Sequence, residues 1–329
     1  MTDPVRVQVV TNSFAIDGKF TISRGSRTQA QVLTVVLEAG GMRGRGECVP
    51  YTRYGESLPS VRDQIMSLER DIHDGLTRES LQSALPPGAA RNALDCALWD
   101  LQAKQSNTPV WQLAGLDRPG PLTTAYTLSL DSPQRMKQAA QKNAFRPILK
   151  IKLGGPDDMD RLQAVRQGAP ESRLIVDANE AWSAKDYKQL APLLIDLGVA
   201  MVEQPLPAAS DAALAEQERP LPVCADESCH DRQSLKSLDA KYDVINIKLD
   251  KSGGLTEALA LREAARAKGY TIMVGCMVGS SLGMAPALLV AQGAEFVDLD
   301  GPLLLAEDRE LPLQYSGSVI SPADSSLWG

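Results

Sequence analysis

Leu149-Lys150-Ile151-Lys152-Leu153 constrains this chain more than any other stretch. Its apolar residues alternate with period two, as side chains do on a strand, so Leu149, Ile151 and Leu153 share one face. Lys150 and Lys152 then share the other. An unpaired ammonium is costly to bury, so a core strand with two lysines on one face needs a reason. A second strand, Ile245-Asn246-Ile247-Lys248-Leu249, repeats the pattern, with Asn246 and Lys248 off the aliphatic face. Between the two lie three short apolar runs, each ending in an acid: Leu174-Ile175-Val176-Asp177, Val199-Ala200-Met201-Val202-Glu203 and Val223-Cys224-Ala225-Asp226. Lysines and carboxylates at the ends of successive strands are what one barrel rim presents to one reacting centre.

The surrounding pattern agrees. From about Leu122 the chain alternates strand and helix, with strands expected at 122–129, 148–153, 174–177, 199–203, 222–225, 244–249, 271–275 and 296–299. Helical stretches such as Asp158 to Gln167, Lys185 to Leu197 and Leu255 to Lys268 separate them. Eight such units predict an α/β chain with a (β/α)8-type barrel over residues 116–304 rather than an open doubly wound sheet. No G-x-G-x-x-G follows an early strand, which removes the usual sign of a dinucleotide fold.

Residues 1–115 read as an α+β capping domain. Strands are expected at Val5 to Val9 and Gln31 to Leu37, the second turning at Gly40-Gly41 into Arg43 to Glu47. After Pro86-Pro87-Gly88, Ala90, Ala93, Leu94, Ala97, Leu98 and Leu101 fall on one helical face. Two segments, Ser23 to Arg27 and Tyr51 to Glu56, carry pocket-type residues and serve either as solvated loops or as cover for a site. Residues 305–329 hold no further clear unit and are expected to return to the first domain.

Composition narrows the partners. A net charge of -7 and the lack of a Lys/Arg run with interleaved aromatics argue against nucleic acid. Tyr270 to Ala294 is free of charge, and Gly275, Gly279 and Gly283 repeat a membrane-helix spacing. The glycines, serines and Pro286 in that stretch break a continuous helix, so a strand, a loop and a buried helix explain it better than a membrane span. Met1 to Arg6 lacks a cationic region followed by an apolar core, so no signal peptide is expected. The five scattered cysteines (Cys48, Cys96, Cys224, Cys229, Cys276) and two histidines form no zinc spacing and suit reduced thiols in the cytoplasm.

Asp177, Glu203 and Asp226 come from three consecutive strand ends. Three carboxylates without His or Cys select a hard, oxygen-seeking ion, Mg²⁺ first; the bland roles for such acids are helix caps and ion pairs. Lys150-x-Lys152, Asp177-Ala178-Asn179, Glu203-Gln204-Pro205, Ala225-Asp226-Glu227-Ser228 and Lys248-Leu249-Asp250 together resemble the enolase superfamily, in its muconate-lactonizing-enzyme-like group. Asp298-Leu299-Asp300 at the last strand resembles the dipeptide epimerases of that group. The similarity extends through Ile22 to Arg27 and Pro50 to Ser57.

The resemblance implies a modified TIM barrel with one Mg²⁺ per subunit and a dipeptide substrate. It implies proton transfer at the α-carbon, with Lys152 and Lys248 as bases on opposite faces and Lys150 helping the metal to stabilise an enediolate. Such a base must be neutral, although a free lysine titrates near ~10.4; metal charge, Lys150 and burial are expected to push it down. Asp298 and Asp300, two apart on one strand, would face the same way and hold the substrate ammonium. Arg24 would fork onto a side-chain carboxylate, with Arg27 and Arg53 as competitors. Tyr51 and Tyr54 would close the pocket, Thr127 would touch the substrate backbone, and Cys276 stands in the Gly275 to Ser281 loop that varies among such enzymes. N-acylamino-acid racemase, cycloisomerase and o-succinylbenzoate synthase chemistry remain alternatives within the fold. Outside it stand a Schiff-base lyase and a non-catalytic dipeptide-binding protein. Oligomeric state, a homo-oligomer included, stays open.

Overall fold

A computed structural model describes residues 4–155 and 158–329. Met1 to Asp3, the start of the segment read above for a leader, lie outside the described residues. The cap begins with three antiparallel strands, β1 (Arg6–Ile22), β2 (Gly25–Ala39) and β3 (Met42–Cys48). The β1–β2 hairpin runs well beyond the two short strands expected at 5–9 and 31–37. Its outer part is polar, so apolar alternation does not mark it. Pairing carries it on through a register shift in which Ile16 to Lys19 oppose Thr28 alone. The helix Ala89–Ser106 packs its small-residue face on this sheet, with Ala93, Leu94 and Ala97 sharing a buried core with Val35, Leu37 and Cys48.

The expected strand at 122–129 is two strands with separate partners. β4 (Leu122–Thr123) joins a small antiparallel sheet, whereas β5 (Tyr126–Leu128) opens the barrel. The chain must leave one sheet and enter another between Thr123 and Tyr126, a break that no local pattern marks. Then follow β6 (Ile148–Lys152), β7 (Arg173–Asp177), β8 (Val199–Glu203), β9 (Val223–Ala225), β10 (Val244–Ile247), β11 (Thr271–Gly275) and β12 (Phe296–Asp298). They pair in sequence order and in parallel, from β5 to β12. Ala125 N–H donates to Val297 O (2.8 Å) and Leu299 N–H to Thr124 Oγ1 (2.9 Å), bringing the last strand beside the first. Full helices Asp158–Gly168, Ala184–Asp196 and Leu255–Ala267 lie where the periodicity placed them. After β8 and β9 the connections shrink to 3-10 turns, Ala212–Ala215 and Ser234–Ser237.

Register explains the two faces of β6. Leu149 and Ile151 pack outward with Leu174, Val176 and Val202 in the main core. Inside, a plug of Ala125, Ile175, Met201, Cys224, Val244, Met273 and Phe296 fills the barrel, and Lys150, Lys152, Asp177 and Glu203 belong to that same inner parity. The charge-free 270–294 stretch is β11, a loop and the buried helix Ser281–Val290. Among the described residues no helix is long and apolar enough to cross a membrane.

The C-terminal segment ties barrel to cap. Its β13 (Tyr315–Ser316) and β14 (Val319–Ile320) pair with each other, and β14 with β4. Ala306 N–H then bonds Ala15 O (2.8 Å), Arg45 Nη2 donates to Ser326 O and Leu327 O, and Trp328 Nε1 donates to Cys96 O (3.1 Å). Arg309 reaches the buried Glu47 (2.6 Å), which also accepts from Ser280 N–H (2.8 Å). At the cap–barrel seam, Asp250 Oδ1 accepts from Val49 N–H (3.0 Å) and Asn92 Nδ2 (2.9 Å).

Candidate active site

Asp177, Glu203 and Asp226 are fully buried, and their carboxylate oxygens lie within 4.8 Å of one another. Backbone geometry aims them. After Asp177 the chain turns through left-handed Asn179 (φ 46°) and Glu180 (φ 67°), and Asn179 N–H donates to Asp177 Oδ1 (2.9 Å). Asn246, on the inner face of β10, donates to Glu203 Oε1 (2.7 Å). A Cβ on neighbouring Gly275 would meet Asn246 Oδ1 at 2.7 Å, so β11 must carry glycine there.

The lysines interleave with these acids. Lys152 Nζ bonds Asp177 Oδ2 (2.6 Å) and Lys248 Nζ bonds Asp226 Oδ2 (2.7 Å). Lys150 Nζ lies 2.8 Å from Asp298 Oδ2, 2.7 Å from Glu203 Oε2 and 3.3 Å from Asp177 Oδ2. The Glu203 contact is an ion pair without hydrogen-bond geometry, so Oε2 accepts no hydrogen bond from the described residues. Lys248 sits one residue beyond the end of β10, in the 244–249 segment, as N-cap of a short helix, Leu249–Ser252. Lys251, on that helix, bonds Asp226 Oδ1 (2.7 Å). Four ammoniums, Lys150, Lys152, Lys248 and Lys251, thus face four carboxylates, Asp177, Glu203, Asp226 and Asp298.

Charge decides which forms persist. Burial works against Asp177, but Lys152 and Lys150 outweigh it and hold the carboxyl down at about 2. Asp226 is also burdened by burial, yet Lys248, Lys251 and Lys150 hold it well below the usual range. Glu203 goes the other way, pushed up by burial and by Asp177. Burial would lower Lys150 and Lys248, but carboxylates win and hold both ammoniums well above their ordinary value. Burial and Lys150 do push Lys248 down, as expected, but Asp226 and Glu203 outweigh them. Three carboxylates with mutually close oxygens, a donorless Glu203 Oε2 and no His or Cys fit a hard divalent cation.

The cap covers this floor. A cavity above it is lined by Arg24, Arg27, Tyr51, Tyr54, Lys152, Lys248 and Cys276, with Phe20, Val49 and Met277 as apolar walls. Tyr51 and Tyr54 meet edge to face at 5.5 Å, and Tyr54 rests on His230 (4.7 Å). The hairpin tip therefore covers a site and is not a free loop. Arg24 differs from expectation. Its Nη2 donates to Glu227 Oε1 (2.7 Å) and Tyr51 Oη (3.2 Å), and its Nη1 to Asn179 O (2.9 Å) and Glu180 Oε2 (3.3 Å). A two-bond fork onto a substrate is not open without displacing one of these. Arg53 is paired bidentately with Glu180. Arg27 lies over the Tyr51 ring (5.0 Å) and has no carboxylate partner among the described residues.

Asp298 and Asp300 do not share a strand. β12 ends at Asp298, and Asp300 caps the 3-10 turn Gly301–Leu304, so period two does not govern it. Asp300 Oδ2 accepts Thr127 N–H (2.6 Å), while burial and Asp298 push its carboxyl up to about 7. Asp298 Oδ1 is buried without a hydrogen-bond partner among the described residues. Thr127 opens on a second cleft with Phe20, Tyr126 and Ser129. Sequence reasoning missed Asn246 as support for Glu203, Lys251 as support for Asp226, and Glu180 and Glu227 as partners of Arg24. Asn246 and Lys251 do carry sequence signals, Asn246 on the lysine face of its strand and Lys251 one helical turn beyond Lys248.

Residues 5–115 match the mandelate racemase / muconate lactonizing enzyme N-terminal domain, and residues 133–305 the enolase C-terminal domain-like family. The chain belongs to the enolase superfamily. This superfamily member is 49% identical to L-Ala-D/L-Glu epimerase of Escherichia coli (strain K12) over 312 residues, 94% of this chain and 97% of that one. It also resembles an enolase family member from Agrobacterium tumefaciens with homology to dipeptide epimerases, solved with bound sodium and L-Ala-L-Glu. That structure is 54% identical with a TM-score of 0.97, covering 99% of this chain and 100% of the other. The dipeptide epimerase of Enterococcus faecalis V583, complexed with Mg and L-Leu-L-Tyr, is 28% identical with a TM-score of 0.90 over 98% of both chains.

Proposed function

We propose that this chain is an isomerase, a Mg²⁺-dependent dipeptide epimerase that inverts the α-carbon of the C-terminal residue of L-Ala-D/L-Glu. The observation that carries this reading is the placement of Lys152 and Lys248. They line one cavity from opposite flanks of the acid triad, each held by a single carboxylate and only 7% and 6% exposed. Inversion needs a base on each face of a planar intermediate, and a one-base reaction has no use for the second lysine.

Asp177, Glu203 and Asp226 would hold the Mg²⁺, which would supply positive charge to offset the charge that develops on the substrate's α-carboxylate as the α-proton leaves. Lys150 adds a fixed cation to the same region. Lys152 takes or returns the proton on one face and Lys248 on the other, with roles exchanged for the opposite epimer. The carboxylates that keep Lys248 charged, Asp226 and Glu203, are two of the three that would hold the cation. Asp298 Oδ1, buried and donorless, accepts the substrate ammonium; Asp300, bonded to Thr127, stands behind it. Arg24 and Arg27 face the side-chain carboxylate, Tyr51 and Tyr54 with Cys276 wall the pocket, and Thr127 borders the ammonium end. In this division residues 1–115 with 305–329 cover the substrate and 116–304 do the chemistry. A cytoplasmic role in recycling murein peptides accords with the resemblance and the free cysteines.

An N-acylated amino acid is the second reading, because its amide N–H also satisfies Asp298 Oδ1. Incubation with Mg²⁺, a dipeptide library and N-acetylglutamate in D₂O separates the two. Deuterium at the C-terminal α-carbon of free dipeptides, read by mass spectrometry, supports the epimerase. Exchange in N-acetylglutamate alone moves the assignment to the second reading, and exchange in neither ends both.

A further inference from the structure

Lys251 is the most completely enclosed cation of the site, with its side chain at 0% exposure. Its short helix follows Lys248 directly and ends at Gly253-Gly254, where the chain presses on the cap. A Cβ at Gly254 (φ 109°) would lie 2.5 Å from Asp95 Cβ, so the cap fixes this turn and with it the start of the lysine side chain. All three ammonium donors are used: Asp226 O, Asp226 Oδ1 (2.7 Å) and Asn246 O (3.1 Å). Lys248 grips the other oxygen, Asp226 Oδ2, through one bond and borders the cavity. The two oxygens of one carboxylate are therefore held unequally.

We propose that Lys251 is a positioning residue that keeps Asp226 a one-oxygen metal ligand and thereby selects Mg²⁺ over Ca²⁺. The proposal rests on the three acids holding a divalent cation. Lys251 is saturated and walled in, so it retains Oδ1, while Lys248 yields Oδ2 and is released toward the cavity that needs a base. Mg²⁺ demands a compact octahedral shell, whereas Ca²⁺ gains from extra oxygens and two-oxygen carboxylate contacts. Withholding Oδ1 thus penalises the larger ion. The three bonds suit the compact ammonium of lysine and not the planar fork of arginine.

The test measures Mg²⁺ and Ca²⁺ affinities of the full-length protein by calorimetry for the native chain, Lys251→Met and Lys251→Gln. Both ions feel the lost charge alike, so the ratio of the two affinities isolates geometry. Changes around a ligand's supporting contacts shift metal affinity roughly 10- to 100-fold; the ratio is expected to move toward Ca²⁺ by about tenfold in both variants. A ratio unchanged within about twofold in a folded variant overturns the proposal. Should both variants fail to fold, a Ca²⁺-soaked crystal of the native protein decides: Asp226 bound through Oδ2 with Oδ1 still on Lys251 supports it, and two-oxygen chelation refutes it. Native protein that binds neither ion refutes the metal reading itself, a different outcome.

Discussion

Replacing Arg24 by methionine probes how the pocket reads a charged side chain. The native guanidinium donates through both Nη atoms to Asn179 O, Glu180, Tyr51 and Glu227, so only Nε lacks a partner among the described residues. A substrate carboxylate meeting that single donor makes one charge-assisted hydrogen bond, about 1.5–3 kcal/mol. Glu227 and Glu180 already offset the arginine's charge, which argues for the lower half of that range. Arg24→Met is therefore expected to lower kcat/KM for L-Ala-L-Glu about 10- to 45-fold. A second loss is common to all substrates, because the Glu227 carboxylate, 1% exposed, is left without its cation. The ratio of kcat/KM for L-Ala-L-Glu to that for L-Ala-L-Leu removes the common part. Arg27→Met provides the comparison, since Arg27 lines the same cavity without a carboxylate partner and has its full charge to offer. The assay is coupled exchange or polarimetry on both dipeptides with each variant. If Arg24→Met reduced both substrates by one factor while Arg27→Met spared L-Ala-L-Leu alone, Arg24 would be a latch for the cap and Arg27 the reader.

Lys152→Ala and Lys248→Ala are each expected to abolish epimerisation while retaining α-proton exchange with D₂O for one epimer, a different one in each. Exchange of the same epimer by both variants, followed by NMR, would contradict the opposite-face placement. Chelation should abolish turnover and Mg²⁺ restore it; Asp177→Asn, Glu203→Gln and Asp226→Asn should each weaken Mg²⁺ binding in a calorimeter, and full activity in excess chelator would remove the metal from the reaction. Burial pushes Asp250 up to about 7, against the pull of its bonds from Val49 and Asn92. Its folded-state value exceeds its unfolded one, so the stability it contributes is full below about pH 4 and is lost as pH rises through 7, with a ceiling of about 4 kcal/mol. Asp250→Asn keeps the Oδ1 acceptor without the proton, and thermal melts from pH 5 to 8 should show a flatter slope than the native chain; parallel slopes would refute the assignment.

Much of this fold is legible one segment at a time. The alternation in Leu149 to Leu153 and Ile245 to Leu249 commits lysines to an inner face whatever lies across from them, because side chains on a strand take opposite sides. Apolar runs ending in Asp177, Glu203 and Asp226 mark strand ends at one rim, and the helical periodicities at Asp158–Gly168, Ala184–Asp196 and Leu255–Ala267 need no tertiary information. What the tertiary structure alone decided concerns partners distant in sequence. The long β1–β2 hairpin is polar outside, so its reach over the barrel shows only in its pairing with β2 and its bonds to Asn179 and Glu227. The split between β4 and β5 depends on β14, nearly 200 residues later. Arg24, Arg27 and Arg53 are equivalent as sequence; the positions of Glu180 and Glu227 separate them. Asp298 and Asp300 look like one strand face until the chain turns at Gly301. The position of Lys251 is visible in the sequence but its role is not, because that depends on whether its ammonium meets water or the three oxygens that the fold brings to it.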